Sequence, residues 1–393
     1  MGSITFWGLS ASPYQLKMQS LADFAQLPWQ RLPDQGSLLQ SLALLRRLRK
    51  AQRKTTVLRF PSHDADMDEY PAVPYYTLDG KTLYYDSSGL AQHLDTLGHG
   101  SQSLLPEKGA QRFLCKFIDE AFDEFGLYMV HHNRWVTSAH TNKMGKTTAD
   151  EMAHWLPAAV KRNIARKLSE RQCRRLPYLF SVAPPGLNCG VDNAITPPER
   201  AGFPATHVLL DQAWRKYLAA IEHILSRQPY LLGQRFTLAD ASAYGQLGMN
   251  LPDGMAAELI QELAPRTYQW LNMINSGEHR GCHGDLEITD TLTPLLEIIT
   301  DTFIPLMQQN EAAYEAALQR GQNLFNEAAF EHGEALYDGE LLGLPFRSVV
   351  KSFQVVTWRE LCEEWCALSP DARLEITKQF PFIRSSLFSS VTT

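Results

Sequence analysis

The sequence predicts a small α/β unit followed by an all-helical remainder. Three observations predict it: strand and helix patterns alternate only in the first quarter, a hairpin signal closes that quarter, and helical apolar spacing runs on from Gly109. At roughly 150 residues per domain, 393 residues allow two or three domains and a sizeable core. With 44% apolar and 20% charged positions, wholesale disorder, collagen and coiled-coil architectures are excluded. The net charge of −6 argues against a general nucleic-acid binder. Six cysteines scattered over so long a chain are not a disulfide framework, and they fit reduced thiols in the cytoplasm. No apolar run approaches the ~18 residues of a transmembrane helix. The first nine residues lack the basic-then-apolar pattern of a secretory signal, so neither membrane nor export is expected.

Element by element, Ile4-Thr5-Phe6-Trp7 reads as a short buried strand, followed by a turn over residues 8–12. Pro13 opens a helix in which Met18, Leu21, Ala22 and Ala25 share one apolar face. Residues 29–32 suit a second strand. Residues 37–54 suit a helix with a strongly basic far end (46–54), and His63 to Glu69 reads as an acidic surface loop. Residues 73–78 and 82–85 are β-rich runs joined by Asp79-Gly80-Lys81, where Asp-Gly supplies the positive φ that a tight turn needs. Asp86-Ser87-Ser88 then offers capping side chains to a short helix carrying Leu90, Ala91 and Leu94. Beyond Gly109, Phe113, Phe117, Ile118, Ala121, Phe122 and Phe125 describe a buried helical face. Residues 181–204, rich in Pro, Gly and Asn, read as a long loop. Helical patterns follow at 207–225, after Phe236, at 291–330 and at 348–366, with a polar break at 276–285.

This order resembles the glutathione S-transferase superfamily. Three places carry the resemblance: Ser10-Ala11-Ser12-Pro13-Tyr14 after the first strand, the run from Val73-Pro74 through Asp86-Ser87-Ser88, and Pro229-Tyr230-Leu231-Leu232-Gly233-Gln234 leading to Thr237-Leu238-Ala239-Asp240. The pattern His131-His132-Asn133-Arg134-Trp135 is similar to an elongated bacterial subgroup. The resemblance covers residues 4 to about 275. It implies a thioredoxin-like domain over 1–100, an all-α domain over 105–275 and a helical extension over 276–393. It also implies a homodimer with glutathione as co-substrate, conjugating its thiolate to an electrophilic, apolar small molecule. The chain is longer than a typical member, so a non-catalytic binding or interaction scaffold is the alternative.

The residues admit that chemistry in different degrees. Ser12 before Pro13 suits a plain N-cap. A hydroxyl there also donates to a sulfur anion, while the helix's partial positive charge stabilises the anion. The resemblance makes Ser12 the first candidate for activating the thiol and Ser10 the second. Without a cysteine in this turn, disulfide exchange through the enzyme is disfavoured. Val73-Pro74 resembles the family's cis-proline corner, whose outward-facing backbone pairs with the cysteinyl part of glutathione; an ordinary strand-initiating proline is the other reading. Asp86, Ser87 and Ser88 resemble the step that receives the γ-glutamyl end, a helix start with free N–H groups beside an acid. Thr237 and Asp240 form a capping-box pattern with a structural role.

Tyr128, His131, Arg134 and Trp135 share a helix face that in the superfamily borders the electrophile pocket. An aromatic wall with one cation would suit an apolar acceptor bearing an anionic group, although Arg and His at such a spot also serve as interdomain hydrogen-bonders. The basic runs 46–54 and 161–175 read as solvated helix faces. Neither Cys362 with Cys366 nor Cys282-His283 assembles a metal-ligand spacing, so no metal is expected.

Overall fold

Apolar residues alternate along the first strand, so one face of Ile4–Trp7 (β1) is fully buried, with Ile4 and Phe6 inward. A computed structural model describes residues 3–61, 71–100, 102–107, 109–187 and 199–388. The acidic run His63 to Glu69 and the middle of the Pro/Gly/Asn-rich loop (188–198) lie outside the described residues. Pro13–Phe24 (α1) starts on Ser12 as N-cap with Pro13 in its first turn. Trp29–Leu32 (β2) pairs parallel to β1. Leu38–Arg53 (α2) opens with a reciprocal capping box between Ser37 and Gln40.

Leu58–Arg59 (β3), Tyr75–Thr77 (β4) and Tyr84–Tyr85 (β5) complete a five-stranded sheet in the order β2-β1-β4-β5-β3. The β1–β4 and β4–β5 pairs are antiparallel, and Asp79 closes the hairpin by accepting from the Lys81 and Thr82 amides at 2.7 and 2.8 Å. The chain between β2 and Val73 therefore supplies α2 and an added edge strand that ends on Arg59. Ser87–Thr96 (α3) follows. Leu32, Leu44, Leu48, Val57 and Tyr75 seal α2 onto one face of the sheet. On the other face α1 and α3 join a core continuous with the helical part. This is a thioredoxin-like α/β unit with an all-α partner.

The helical part begins with Gly109–Ala121 (α4), which runs through a π turn at Phe122–Gly126 into Leu127–His132 (α5) and a second π turn at Asn133–Thr137. Met144–Met152 (α6) and Ala158–Arg175 (α7) pack together on the outside. His207–Leu225 (α8) and Leu238–Gly248 (α9) lie at the centre. Gly254–Leu263 (α10) and Pro265–Asn275 (α11) follow. At the buried start of α9, Asp240 accepts from the Thr237 amide and hydroxyl at 2.9 and 2.8 Å and from the Leu231 amide at 2.7 Å. The Thr237–Asp240 pair therefore carries the structural role its spacing suggests.

The helix α1 lies directly on α9. A Cβ on Gly245 would stand 2.7 Å from the Pro13 carbonyl oxygen, so the close crossing needs glycine.

Residues beyond 276 are helical with one departure from expectation. The 291–330 pattern divides into Thr293–Gln319 (α12) and Glu327–Glu331 (α13). An antiparallel hairpin follows, Leu336–Leu341 (β6) and Leu344–Val349 (β7), which the reading of 348–366 as one helix did not include. Ser352–Ala367 (α14) and Pro370–Gln379 (α15) are the last α-helices among the described residues. Trp358 and Trp365 of α14 are buried, with Trp365 packed against Phe113 of α4 and against Phe388. Asn310 of α12 fixes where α14 begins, bonding both the amide and the carbonyl of Lys351 at 2.9 Å. No helix among the described residues is long and apolar enough to cross a membrane.

Candidate functional site

The starts of α1 and α3, the Val73–Pro74 corner, the first π turn and the start of α14 converge on one cavity of about 260 Å³. That size is near the lower end of the range of small-molecule sites, ~300–1,000 Å³. The sheet side contributes Arg59, Val73, Pro74, Asp86, Ser87 and Ser88, and α1 contributes Tyr14 and Met18. The helical part contributes Glu120, Asp123, Glu124 and Tyr128, and the extension contributes Lys351, Phe353, Gln354 and Thr357. The Val73–Pro74 bond is cis.

Asp86 organises the sheet side. It stands at φ +74°, a region costly for a residue with a Cβ. From there its Oδ1 caps α3, accepting from the Ser88 and Gly89 amides at 2.9 and 3.3 Å. Its Oδ2 accepts from Arg59 Nε at 2.5 Å. Arg59 reaches on to Glu360 of α14 and lies 5.5 Å from the centre of the Phe353 ring. Burial alone would lower the Arg59 pKa, but Asp86 and Glu360 hold it above its ordinary value. The expectation of free N–H groups at this helix start is thus corrected for Ser88 and Gly89, whose amides the Asp86 carboxylate already occupies.

Behind this step lies a buried charge cluster. Lys17 Nζ stands 2.6 Å from Asp119 Oδ1, 2.6 Å from Asp123 Oδ2 and 2.7 Å from Ser88 Oγ. Burial would lower the Lys17 pKa, and the two aspartates outweigh it and raise it. Two carboxylates share that one ammonium, so burial and the repulsion of Asp119 push Asp123 up to about 7 against the pull of Lys17. Burial and Asp123 likewise raise Glu124 to about 7, and burial with Asp119 raises Glu120. Asp123 and Glu124 lie in the first π turn and both line the cavity; such turns are frequent at functional sites.

The hydroxyls divide between two places. Ser12 is 8% exposed, caps the Gln15 amide at 3.4 Å and is not on the cavity wall. The Ser10 amide donates to Glu151 at 2.9 Å, and Ser10 is also off the wall. Tyr14, two residues on, does line the cavity and donates to the Asp123 carbonyl at 2.9 Å. Burial, then Glu124 and Asp123, raise its pKa, so it remains a proton donor.

The four residues expected to share a pocket face also separate. Tyr128 lines the cavity and accepts from Gln354 at 2.9 Å. Arg134 is buried elsewhere: its Nε donates to Asp253 at 2.6 Å, Nη1 to the Ala11 carbonyl at 3.3 Å, and Nη2 to the Met249 carbonyl. It ties the β1–α1 turn to the helical part and is not on the cavity wall. Trp135 packs with Val136, Met144 and Leu176, and His131 bonds the Leu127 carbonyl at 3.3 Å. Burial, with Arg134 and Arg175, lowers His131 to about 3. Arg134 and Trp135 lie in the second π turn, off the face a regular helix would give them, and His131 precedes it at the end of α5. The wall thus carries carboxylates where a cation was expected.

Residues 209–278, from α8 through α11, match the family described as Glutathione S-transferase, C-terminal domain. Over that stretch the chain is similar to the C-terminal domain of glutathione S-transferases. Solved structures similar to this chain include a glutathione S-transferase of Ceriporiopsis subvermispora in complex with glutathione. That match has TM-score 0.40 and 15% identity, over 70% of this chain and 98% of that one. Beta-etherase LigF from Sphingobium sp. strain SYK-6 matches at TM-score 0.40 and 20% identity, over 70% and 95%. A glutathione S-transferase from Rhodospirillum rubrum F11 matches at TM-score 0.36 and 13% identity, over 75% and 91%. No curated protein sequence matches the chain.

Sequence reasoning missed Arg59, Lys17, Tyr14, the Glu120–Asp123–Glu124 wall and the contribution of α14. Tyr14 and Glu124 stood inside segments already singled out by pattern, whereas Arg59 and Gln354 carried no local signal at all. None of the cations in 46–54 reaches the cavity wall; Arg46, Arg47, Arg49 and Lys50 lie on the exposed face of α2.

Proposed function

We propose that this cavity holds glutathione and that the chain conjugates its thiolate to an apolar electrophile. The observation that carries the reading is the meeting of Val73, Pro74, Asp86, Ser87 and Ser88 on one wall with Tyr128 opposite. In this reading the cysteinyl part pairs with the Val73 backbone, and the γ-glutamyl end lies at Ser87 and Ser88. The sulfur faces the start of α1. Ser12 accepts from Gln15 and so keeps its own proton to donate to a thiolate, with Ser10 as second candidate and Tyr14, on the wall, as a third. The thiolate attacks the electrophilic carbon, a C–S bond forms, and the leaving group departs with its electron pair or, in an addition, the product carbanion takes up a proton. Positioning and thiolate stabilisation supply the rate. The units of this reading are 1–100, 105–275 and an extension over 276–393. A cytoplasmic homodimer goes with it by family analogy and composition.

One observation favours the non-catalytic scaffold instead: α14 walls the cavity, and Asp86 already holds Arg59 and two amides. Calorimetry with glutathione, paired with thiolate absorbance across pH, separates the two. Binding with a lowered thiol pKa that Ser12→Ala or Tyr14→Phe abolishes supports the transferase. Binding with an unchanged thiol supports the scaffold, and no binding rejects the ligand.

A further inference from the structure

We propose that the outer face of α2 is a docking surface for an anionic lipid bilayer. The helix carries no carboxylate along Leu38–Arg53, while Arg46, Arg47, Arg49, Lys50, Arg53 and the C-cap Lys54 crowd its far end. Its inner face is buried on the sheet through Leu44 and Leu48. On the outer face, Leu39, Leu42, Ala43, Arg46, Lys50 and Arg53 recur at helical three- and four-residue spacing, and all are exposed. They form one stripe about 20 Å long, at ~1.5 Å per residue. Its near end is apolar: Leu39 is 79% exposed, with Leu38 and Leu42 at 41% and 43%.

Among the described residues, no carboxylate pairs with these cations. Arg47 Nη2 donates to the Lys81 carbonyl at 2.8 Å, and Arg53 Nε to the Arg49 carbonyl at 3.2 Å. The first bond brings the exposed Lys81 of the β4–β5 turn to the edge of the patch. The acid beside it, Asp79, has its carboxylate held by the Lys81 and Thr82 amides and the Thr82 hydroxyl. A chain of net charge −6 thus gathers uncompensated positive charge on one helix. Spacing alone reads that run as a solvated face; the leucines in line with it point to lipid. Nucleic acid offers phosphates to the cations but nothing for exposed leucines to enter. A bilayer with anionic headgroups meets both, taking the cations at its surface and the leucines at the headgroup–acyl boundary. No α2 residue lines the cavity, so the inference stands apart from the transferase reading.

The test is co-sedimentation of the full chain with two kinds of vesicle, phosphatidylcholine alone and phosphatidylcholine with roughly a third phosphatidylserine. The inference expects roughly tenfold or tighter binding to the anionic vesicles, falling as salt screens the headgroups. Arg46→Gln with Lys50→Gln should weaken it about 25-fold, since each cation near such a surface contributes about fivefold. Leu39→Ser with Leu42→Ser should weaken it about tenfold with every charge retained. A thermal melt checks that each variant is folded; the Arg46/Lys50 pair, wholly on the surface, decides if the leucine pair is not. Equal binding to both vesicles, or none to either, overturns the inference. So does unchanged binding in either folded double variant. Duplex DNA bound as tightly as the anionic vesicles, at equal phosphate concentration, also overturns it and assigns the face to a phosphate polymer.

Discussion

Arg59 and Glu360 lie 301 residues apart in sequence and form a two-pronged ion pair, Nη1 to Oε1 at 2.6 Å and Nη2 to Oε2 at 2.7 Å. Because Arg59 also holds Asp86, this pair couples the helix start proposed for glutathione to the extension that walls the cavity. Glu360 is 48% exposed at its side chain, so the pair is worth about 0.5–1 kcal/mol. Glu360→Gln should therefore barely move the melting temperature. It should speed hydrogen exchange over the first turns of α14 by about twofold to fivefold, and the effect should shrink as salt weakens the wild-type pair. Hydrogen-exchange mass spectrometry measures it directly.

Lys17 is the keystone of the buried charges. Lys17→Met leaves Asp119 and Asp123 buried without their cation, a loss of about 3–5 kcal/mol. Urea denaturation should show that loss at pH 8 and a smaller one at pH 5, where a protonated Asp123 carboxyl relieves part of the burial.

Glu124 gives a prediction of opposite sign. Its carboxyl is raised from 4.5 to about 7 by burial and by Asp123. The folded protein then holds this proton more tightly than the unfolded chain does. The contribution is whole below about pH 4.5 and is lost as pH rises through 7. Glu124→Gln removes the titration, so the variant should match wild type near pH 4.5 and be more stable at pH 8, by at most about 3 kcal/mol. Thermal melts at the two pH values decide it.

Gly245 sets how closely α1 approaches α9. The added methyl of Gly245→Ala would meet the Pro13 carbonyl at 2.7 Å and the Lys17 Cβ at 2.9 Å, and the backbone atom cannot rotate away. Overpacking of about 1–3 kcal/mol should outweigh the helix-propensity gain of roughly 1 kcal/mol. The melt should fall, and glutathione affinity should fall with it because α1 carries Ser12 and Tyr14.

What the sequence discloses follows the range of each interaction. β1, β2 and the hairpin around Asp79-Gly80 are legible because apolar alternation and turn chemistry act over a few residues. The β6–β7 hairpin is not, because its turn falls on Leu342-Gly343, both at positive φ, while the Asp338-Gly339 pair that looks like a turn lies inside the strand. The sheet-side wall, Val73 through Ser88, is contiguous in sequence and could be named in advance. Lys17 with Asp119 and Asp123, or Arg59 with Glu360, are pairs made only by tertiary packing. Arg134 and Trp135 were misplaced for a local reason: a π turn adds a residue to the helix and rotates everything after it, and no spacing rule signals that.

The central claim is that a tripeptide thiol lies in the cavity between Asp86 and Tyr128. A crystal structure of the chain grown with glutathione tests it most directly. The account predicts density with the γ-glutamyl end at Ser87 and Ser88, the cysteinyl backbone on Val73 and the sulfur toward the start of α1. Glutathione lodged elsewhere, or none at saturating concentration with α14 still closed on Arg59, would contradict it.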